Sequence, residues 1–434
     1  MTDKTRVAVV GGGWAGLAAA VEASLRGHHV TLFEMAGQLG GRSRELDVNG
    51  VMLDNGQHIL IGAYTQTLRL MRIVGVDIAE AFVRTPLRIT DVDGLGLRLN
   101  PGAPVPAFAA AVCRHPTWKL PEKVALLRAT GAWALRGFDC EPALTVANLT
   151  ARLPLALRDG LIDPLCVAAL NTPATDASAA VFLRVLKDAL FSGPGSSDLL
   201  LPRVSLSECF PTPAARWLAQ EGAVIRLRER VEQLHPREGA WLVNGSAFDH
   251  VVLATTPTEA ASLAGPVCAR WARLAAALRY EPIVTVYLHS AGARLPEPML
   301  ALRSDAQSPA QFVFDRGQLG GPPGLLAFVV SGAQPWLDLG IEATKLAVVQ
   351  QASRALKHLL REPAHVLRTI TEKRATFRCT PGLPRPAMQI AAGLNAAGDH
   401  VQGPYPATLE GAVLCGVCAA REIARRGTRA GSPD

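Results

Sequence analysis

Three glycines and a glutamate near the start of the chain have the spacing of a phosphate-binding turn. Gly11, Gly13 and Gly16 form the pattern G-x-G-x-x-G, with Trp14 and Ala15 inside it. The first glycine permits a tight bend, the second lets the backbone approach a pyrophosphate, and the third lets the next helix pack closely. Glu34 follows at the distance at which an acid binds ribose hydroxyls. This chemistry is dinucleotide binding.

The segments around these residues are the ones that would position them. Residues 6–10 predict a short apolar strand, 14–26 a helix and 29–33 a second strand that carries Glu34 at its carboxyl end. Strand, glycine turn, helix, strand and acid occur in the required order. We therefore predict a dinucleotide site here rather than a structural glycine turn.

A second glycine cluster follows directly and indicates which dinucleotide is bound. Gly40 and Gly41 precede Arg42, whose forked guanidinium suits a phosphate. A site for NAD needs no such second loop, so FAD is favoured. The alternative for this segment is an ordinary surface loop with a solvated arginine.

The carboxyl-terminal part supplies a third element. Gly398 and Asp399 lead through a Pro/Gly loop into an apolar helix that begins around Leu409 and Glu410. Thr408 is a suitable N-cap for that helix. Its amino end would favour negative charge on a nearby ligand.

These motifs resemble those of the flavin amine oxidase and carotenoid desaturase superfamily, in which a GG-Arg loop, a Gly-Asp and a Glu-Gly-Ala helix start recur. By that resemblance Asp399 contacts the ribitol or phosphate region, and the start of the last helix faces the flavin. Residues 217–231 would form a helix end, a glycine turn and a strand, with the backbone of Val231 on the adenine.

A longer string is more specific. Residues 54–64, DNGQHILIGAY, together with 165–173, 201–208 and the carboxyl-terminal string, resemble the squalene-associated FAD-dependent desaturases, the hydroxysqualene dehydroxylases of bacterial hopanoid synthesis. The resemblance implies bound FAD, an isoprenoid lipid substrate, an external electron donor and reductive removal of a hydroxyl from a C30 allylic alcohol. Two departures are His400 and Val401, where an aromatic residue is expected soon after Asp399, and the lack of an evident aromatic cage, for which Tyr405 is one candidate wall.

The same resemblance places Gln57 and His58 in a turn that reaches the flavin, and it suggests His58, Asp54 and Asn171 as catalytic candidates. His58 would donate a proton to the leaving hydroxyl; its alternative role is to cap the turn after Asp54. Asp54 would brace that turn, and Glu410 would make a supporting bond at the helix start.

Composition limits the remaining classes. The chain has 434 residues, 49% of them hydrophobic and 19% charged, with a net charge of +7. Without a dense basic run, nucleic acid is not an expected partner. No metal site is expected, since Cys415 and Cys418 lie within an apolar helix. Without an evident signal peptide or membrane span, we expect a cytoplasmic protein; moderate basicity with high apolarity also suits an anionic inner membrane face.

The order of segments predicts an α/β two-domain flavoprotein. A Rossmann-like FAD-binding domain would comprise 1–85, 200–260 and 370–434, interleaved with a substrate domain of 86–199 and 261–369 that combines a mixed sheet with helices. Two other functions share these motifs: an isoprenoid desaturase or amine oxidase, which removes hydride from its substrate, and a non-catalytic flavin-bearing scaffold of a lipid pathway.

Overall fold

The computed structural model describes residues 4–423. Its strands, in chain order, are β1 (Arg6–Val10), β2 (His29–Glu34), β3 (Glu45–Val48), β4 (Val51–Asp54), β5 (Leu60–Ile61), β6 (Phe82–Thr85), β7 (Arg88–Thr90), β8 (Gly96–Arg98), β9 (Leu199–Pro202), β10 (Val224–Leu227), β11 (Leu234–Arg237), β12 (Ala240–Val243), β13 (Ser246–Phe248), β14 (His250–Leu253), β15 (Tyr280–His289), β16 (Met299–Ala301), β17 (Phe312–Asp315), β18 (Leu325–Val330), β19 (His365–Phe377), β20 (Gln389–Ala391) and β21 (Leu394–Ala396).

The α-helices are α1 (Trp14–Leu25), α2 (Thr65–Ile73), α3 (Ile78–Ala81), α4 (Pro104–Arg114), α5 (Leu120–Leu135), α6 (Val146–Thr150), α7 (Leu155–Leu157), α8 (Asp163–Leu170), α9 (Ala179–Phe191), α10 (Leu206–Cys209), α11 (Pro211–Gln220), α12 (Pro257–Ala264), α13 (Ala269–Ala276), α14 (Gln334–Asp338), α15 (Ile341–Ala355) and α16 (Leu409–Arg421). A π-helical turn, Arg158–Ile162, joins α7 to α8, and a 3₁₀ turn, Arg316–Leu319, follows β17.

The first sheet confirms the predicted Rossmann-like fold. Its strand order is β10-β2-β1-β14-β21-β20, and the pairs from β10 to β21 are parallel. β1 and β14 are buried along almost their whole length, as expected for a parallel sheet covered on both faces. β2 and β14 lie on opposite sides of β1, so the strand order changes direction there. The turn after β1 therefore opens at the crevice where such sheets bind ligands.

The second sheet differs from its prediction. Its order is β16-β17-β18-β15-β19, and every described pairing is antiparallel rather than mixed. The reason is local: β16, β17 and β18 follow one another through short connections without the crossover that parallel pairing needs. α15 (Ile341–Ala355) follows β18 in the chain and precedes β19.

β19 runs across the predicted domain boundary at residue 370. The domain boundaries stay a prediction, and residues 424–434, the end of the predicted cofactor domain, lie outside the described residues.

Helices α4 to α9 form a separate apolar cluster, whose buried members include Leu126, Trp133, Leu161 and Phe182. A small sheet of order β5-β9-β6 packs Leu60, Phe82 and Leu200 into the apolar cluster that contains α1. In the part of the chain from residue 4 to residue 423, none of the helices has the length and apolarity needed to cross a bilayer.

Candidate active site

The turn between β1 and α1 has the geometry of an anion cradle. Gly11 has a φ of 107°, and a Cβ on Gly16 would lie 1.9 Å from the carbonyl oxygen of Gly11, so both positions require glycine. The first intrahelical bond of α1 runs from Leu17 to Gly13. The N–H groups of residues 14–16 precede that bond and point out of the helix start, where a phosphate is favoured.

The second glycine cluster lies directly against the first. The Gly40 N–H donates to the carbonyl of Gly12 at 2.9 Å, and Gly13 and Gly40 form an isolated parallel bridge. A Cβ on Gly41 would lie 3.2 Å from the Cα of Gly13. The two backbones therefore form one narrow cradle, which a side chain at these positions would partly fill.

Glu34 is buried at the end of β2 and holds this cradle together. Its carboxylate accepts hydrogen bonds from the N–H groups of Gly12 and Ala36, each at 2.7 Å. A carboxylate has more lone pairs than these two bonds use. Ribose binding by Glu34 stays a prediction; in the structure the residue braces the turn.

Arg42 and Asp399 form an ion pair across 357 residues of sequence. Their side chains are 2.7 Å apart, and Arg42 also donates to the carbonyl of Ala375. The nearby Asp399 carboxylate raises the pKa of Arg42. Each residue was predicted separately as a cofactor contact; in the structure they form a pair, so that Arg42 holds the buried Asp399 next to Gly398.

His400 fills the place where an aromatic residue was expected. The ring is 1% exposed, and burial lowers its pKa to about 4, so it is neutral at pH 7. Its Nε2 is buried and has no hydrogen-bond partner among the described residues. Gln57 is similar: its Oε1 accepts from Arg316, while its buried Nε2 has no partner within the same part of the chain.

Asp54 and His58 both make structural bonds in the turn after β4. Asp54 accepts from the N–H of Leu206, and its own carbonyl accepts from the Tyr287 hydroxyl, each at 3.0 Å. His58 Nδ1 lies 3.1 Å from the Gly56 carbonyl, and burial lowers the pKa of the ring. Because a carbonyl only accepts, Nδ1 carries the proton and Nε2 is an acceptor. This tautomer does not favour the predicted proton-donor role.

Asn171 ends α8 in the left-handed region, with a φ of 49°. Its amide nitrogen donates to the Glu281 carbonyl and the Thr376 hydroxyl, and its oxygen accepts from Gly332. These bonds join the end of α8 to β15, to β19 and to the turn after β18. A catalytic role for Asn171 stays an untested prediction, and the structure shows a brace.

Val231 lies beyond the strand that was predicted to contain it. β10 ends at Leu227, and Val231 follows in the irregular segment before β11, buried in the cluster that contains Phe33 and Leu253. The chain leaves the sheet early because Arg228 adopts a positive φ of 57°. A backbone contact between Val231 and adenine stays a prediction.

The start of α16 is tied to the start of α2. Thr408 is the N-cap, and its hydroxyl accepts from the Gly411 N–H at 2.9 Å. Glu410, next to Leu409, is buried, and its carboxylate accepts from the N–H groups of Gln66 and Thr67 and from the Thr67 hydroxyl. Burial raises the pKa of Glu410, while these bonds oppose the shift.

A cavity of about 440 Å³ opens beside this helix start. Its walls are mainly aliphatic and aromatic, from α4, α5, α8, α9 and the small β5-β9-β6 sheet. Few polar side chains reach it, and they are Tyr64, Thr130, Asp188, Ser197, Tyr405, Thr408 and Glu410. The three predicted catalytic residues, Asp54, His58 and Asn171, are not among the residues of 4–423 that line the cavity.

Arg184 and Asp188, which meet Tyr405 at this cavity, were not predicted as site residues. The available signal was the pair of opposite charges at i and i+4 within the largely apolar helix α9. Nothing in the sequence showed that this helix face borders a cavity. Among residues 4–423 no group of three or more His, Cys, Asp or Glu side chains could hold a metal ion.

Comparison with known proteins identifies the family. The family model described as flavin containing amine oxidoreductase matches residues 14–424. The chain belongs to this family. Hydroxysqualene dehydroxylase of Rhodopseudomonas palustris is 28% identical over 94% of this chain and 96% of its own length. Its counterpart in Zymomonas mobilis is 25% identical over 95% and 97%. The crystal structure of an oxidoreductase from Methanosarcina mazei superimposes with a TM-score of 0.71 at 16% identity, covering 96% of this chain and 100% of that one.

As a member of the flavin containing amine oxidoreductases, the chain uses FAD, and its residues fit that cofactor. The joined glycine turns leave room for a pyrophosphate at the start of α1. Two buried nitrogens, Gln57 Nε2 and His400 Nε2, have no partner among the described residues, although buried polar atoms are normally paired. Both lie in segments that the family resemblance assigns to the cofactor.

Proposed function

We propose that the protein removes the hydroxyl of hydroxysqualene reductively, giving squalene. The observation that carries the proposal is the apolar cavity beside the start of α16. The full-length similarity to two hydroxysqualene dehydroxylases supports the choice of substrate. A cavity of this volume falls within the range of about 300–1,000 Å³ that is usual for small-molecule sites.

The proposed roles of the residues follow from the positive charge that the reaction creates on the substrate. Loss of the hydroxyl as water leaves an allylic cation, which the apolar lining would shield from water. Glu410, fixed by bonds from α2, would place a carboxylate beside that cation. Reduced FAD, when bound, supplies the hydride. Glu34, Arg42, Asp399 and the glycine cradle would hold the cofactor.

The test is product analysis by mass spectrometry. Protein loaded with FAD, reduced photochemically under anaerobic conditions, is mixed with hydroxysqualene; we expect squalene and reoxidised flavin in equal amounts. The control is the same protein with oxidised FAD, which should give no squalene. Turnover of a different isoprenoid with oxygen consumption would instead show a desaturase or oxidase, and reduced flavin that hydroxysqualene does not reoxidise would indicate a scaffold.

We also propose that the protein binds peripherally to the anionic inner face of a membrane. Leu120 and Leu135 on α5 are 74% and 92% exposed, and α5 lines the cavity with its other face. A helix that is apolar on its outer face as well calls for a covering surface. Residues 104–136 carry one acid, Glu122, against five bases, which are Arg114, Lys119, Lys123, Arg128 and Arg136. Such a surface suits anionic lipid.

A further inference from the structure

Three polar side chains meet at one wall of the apolar cavity. Arg184 donates from Nε to Asp188 at 2.7 Å and from Nη2 to the Tyr405 hydroxyl at 3.2 Å. The guanidinium carbon lies 5.0 Å from the centre of the Tyr405 ring. Tyr405 and Asp188 line the cavity, and Tyr405 is half-buried.

We propose that Tyr405 is the acid that protonates the leaving hydroxyl, and that Arg184 and Asp188 position it. This inference rests on the proposed function. The C–O bond of the substrate breaks, its electron pair stays on oxygen, and oxygen takes the phenolic proton and leaves as water. The carbon accepts the hydride that the proposed function assigns to reduced FAD, and solvent reprotonates the phenolate.

The surroundings of Tyr405 suit this step. Arg184 donates to the Tyr405 hydroxyl and would stabilise the phenolate that proton transfer leaves, against the opposing charge of the Asp188 carboxylate. The negative charge appears beside the cavity in which the allylic cation forms. Attraction between the two charges is strong there because the lining excludes water.

Other hydroxyls of the cavity are less suited. Thr408 donates to the Tyr405 carbonyl, and Thr130 donates within its own helix. Tyr64 lies beside Glu410, and burial together with that carboxylate raises the pKa of its hydroxyl. Burial also raises the pKa of Tyr405, but there the Arg184 guanidinium, which donates to the hydroxyl, opposes the shift. Tyr405 combines exposure to the cavity with a contact to a cation.

The experiment compares Tyr405→Phe and Arg184→Lys with wild type under the anaerobic assay. General acid catalysis contributes typically about 10²–10⁴-fold, so Tyr405→Phe should lower kcat by that range while KM changes little. Wild type should show a solvent deuterium isotope effect on kcat that Tyr405→Phe lacks. Arg184→Lys keeps the charge but loses the fork, and its kcat should fall less.

Lys187→Ala is the matched control, since Lys187 is exposed on the same helix and its Nζ donates to the Gly137 carbonyl rather than to the trio. It should keep wild-type kcat. A Tyr405→Phe enzyme that retains its yellow cofactor and turns over within about threefold of wild type would be far outside the range for a lost acid and would overturn the assignment. If Tyr405→Phe loses its flavin, an unchanged kcat in Arg184→Gln would overturn the assignment of Tyr405 as the acid. If the wild-type protein makes no squalene, the proposed function is wrong, and this inference is wrong with it.

Discussion

His400 shows at the scale of one residue how burial sets a charge state. The ring is enclosed beside Asp399, whose Oδ1 lies 4.0 Å from its Nδ1, and both Arg42 and Arg385 oppose its protonation. Burial is the largest cause of its low pKa, and the attraction of Asp399 only partly offsets it. The folded protein therefore binds fewer protons than the unfolded chain below pH 6.5.

This residue predicts how stability depends on pH. Between the ordinary pKa of 6.5 and the folded value of about 4, the unfolded chain binds the extra proton, so stability falls as the pH falls. His400 alone should account for a loss of about 3 kcal/mol across that window. The free energy of unfolding, measured by urea titration at intervals from pH 7 to pH 4.5, should decline less in His400→Phe. Parallel curves for the two proteins would show that the histidine is not responsible.

At the scale of elements, the pair α1 and α16 links the cofactor cradle to the cavity. Gly416 of α16 faces the backbone of α1 so closely that a Cβ would lie 2.2 Å from the Ala15 carbonyl oxygen. The start of α1 forms the anion cradle, and the start of α16 borders the cavity. A change in the distance between these helices therefore alters both parts of the site.

Two glycine substitutions should have opposite effects on stability. Gly416→Ala forces α1 and α16 apart and should cost about 1–3 kcal/mol, the usual penalty of overpacking. Gly131→Ala in α5 meets no atom within 4 Å, and it should stabilise the helix by about 0.5–1 kcal/mol. Thermal unfolding of both variants, together with the flavin retained on gel filtration, tests this. Equal Tm values, or full flavin retention in Gly416→Ala, would contradict the coupling.

The sequence predicted elements well where a chemical motif and the hydrophobic periodicity indicate the same segment. The β1–α1–β2 unit lies within one residue of its predicted bounds because its glycines and apolar runs mark where each element starts and ends, and Thr408 caps α16 as its residue type suggests. The antiparallel second sheet was not predicted, because strand direction depends on pairings that a single segment does not contain. The trio around Tyr405 was missed for the same reason: Arg184 and Tyr405 meet only through the fold.

At the scale of the whole molecule, the cavity and the proposed membrane surface share helices. Val105 on α4 and Phe191 at the end of α9 line the cavity and are also exposed, which places its mouth near α5. A water-insoluble substrate would have a long path through solvent if this mouth faced away from lipid. Gly131 of α5 also lines the cavity and is exposed, so docking through the exposed leucines and bases of α5 would bring the opening close to lipid.

This arrangement predicts the lipid dependence of binding. The double variant Leu120→Asp, Leu135→Asp removes two leucines, each of which gains about 1.5–3 kcal/mol on burial, and adds two negative charges. Its affinity for vesicles that contain anionic lipid, measured by sedimentation, should therefore fall by tenfold or more. Each tenfold loss of affinity corresponds to about 1.4 kcal/mol.

Leu339→Asp is the matched control, because Leu339 is 67% exposed but follows α14 in the other part of the fold. Wild-type binding should also decrease in high salt and on neutral vesicles. Equal sedimentation of both variants, or a wild type that ignores lipid charge, would argue against this surface, whereas selective loss in the double variant would explain why α5 is apolar on both faces.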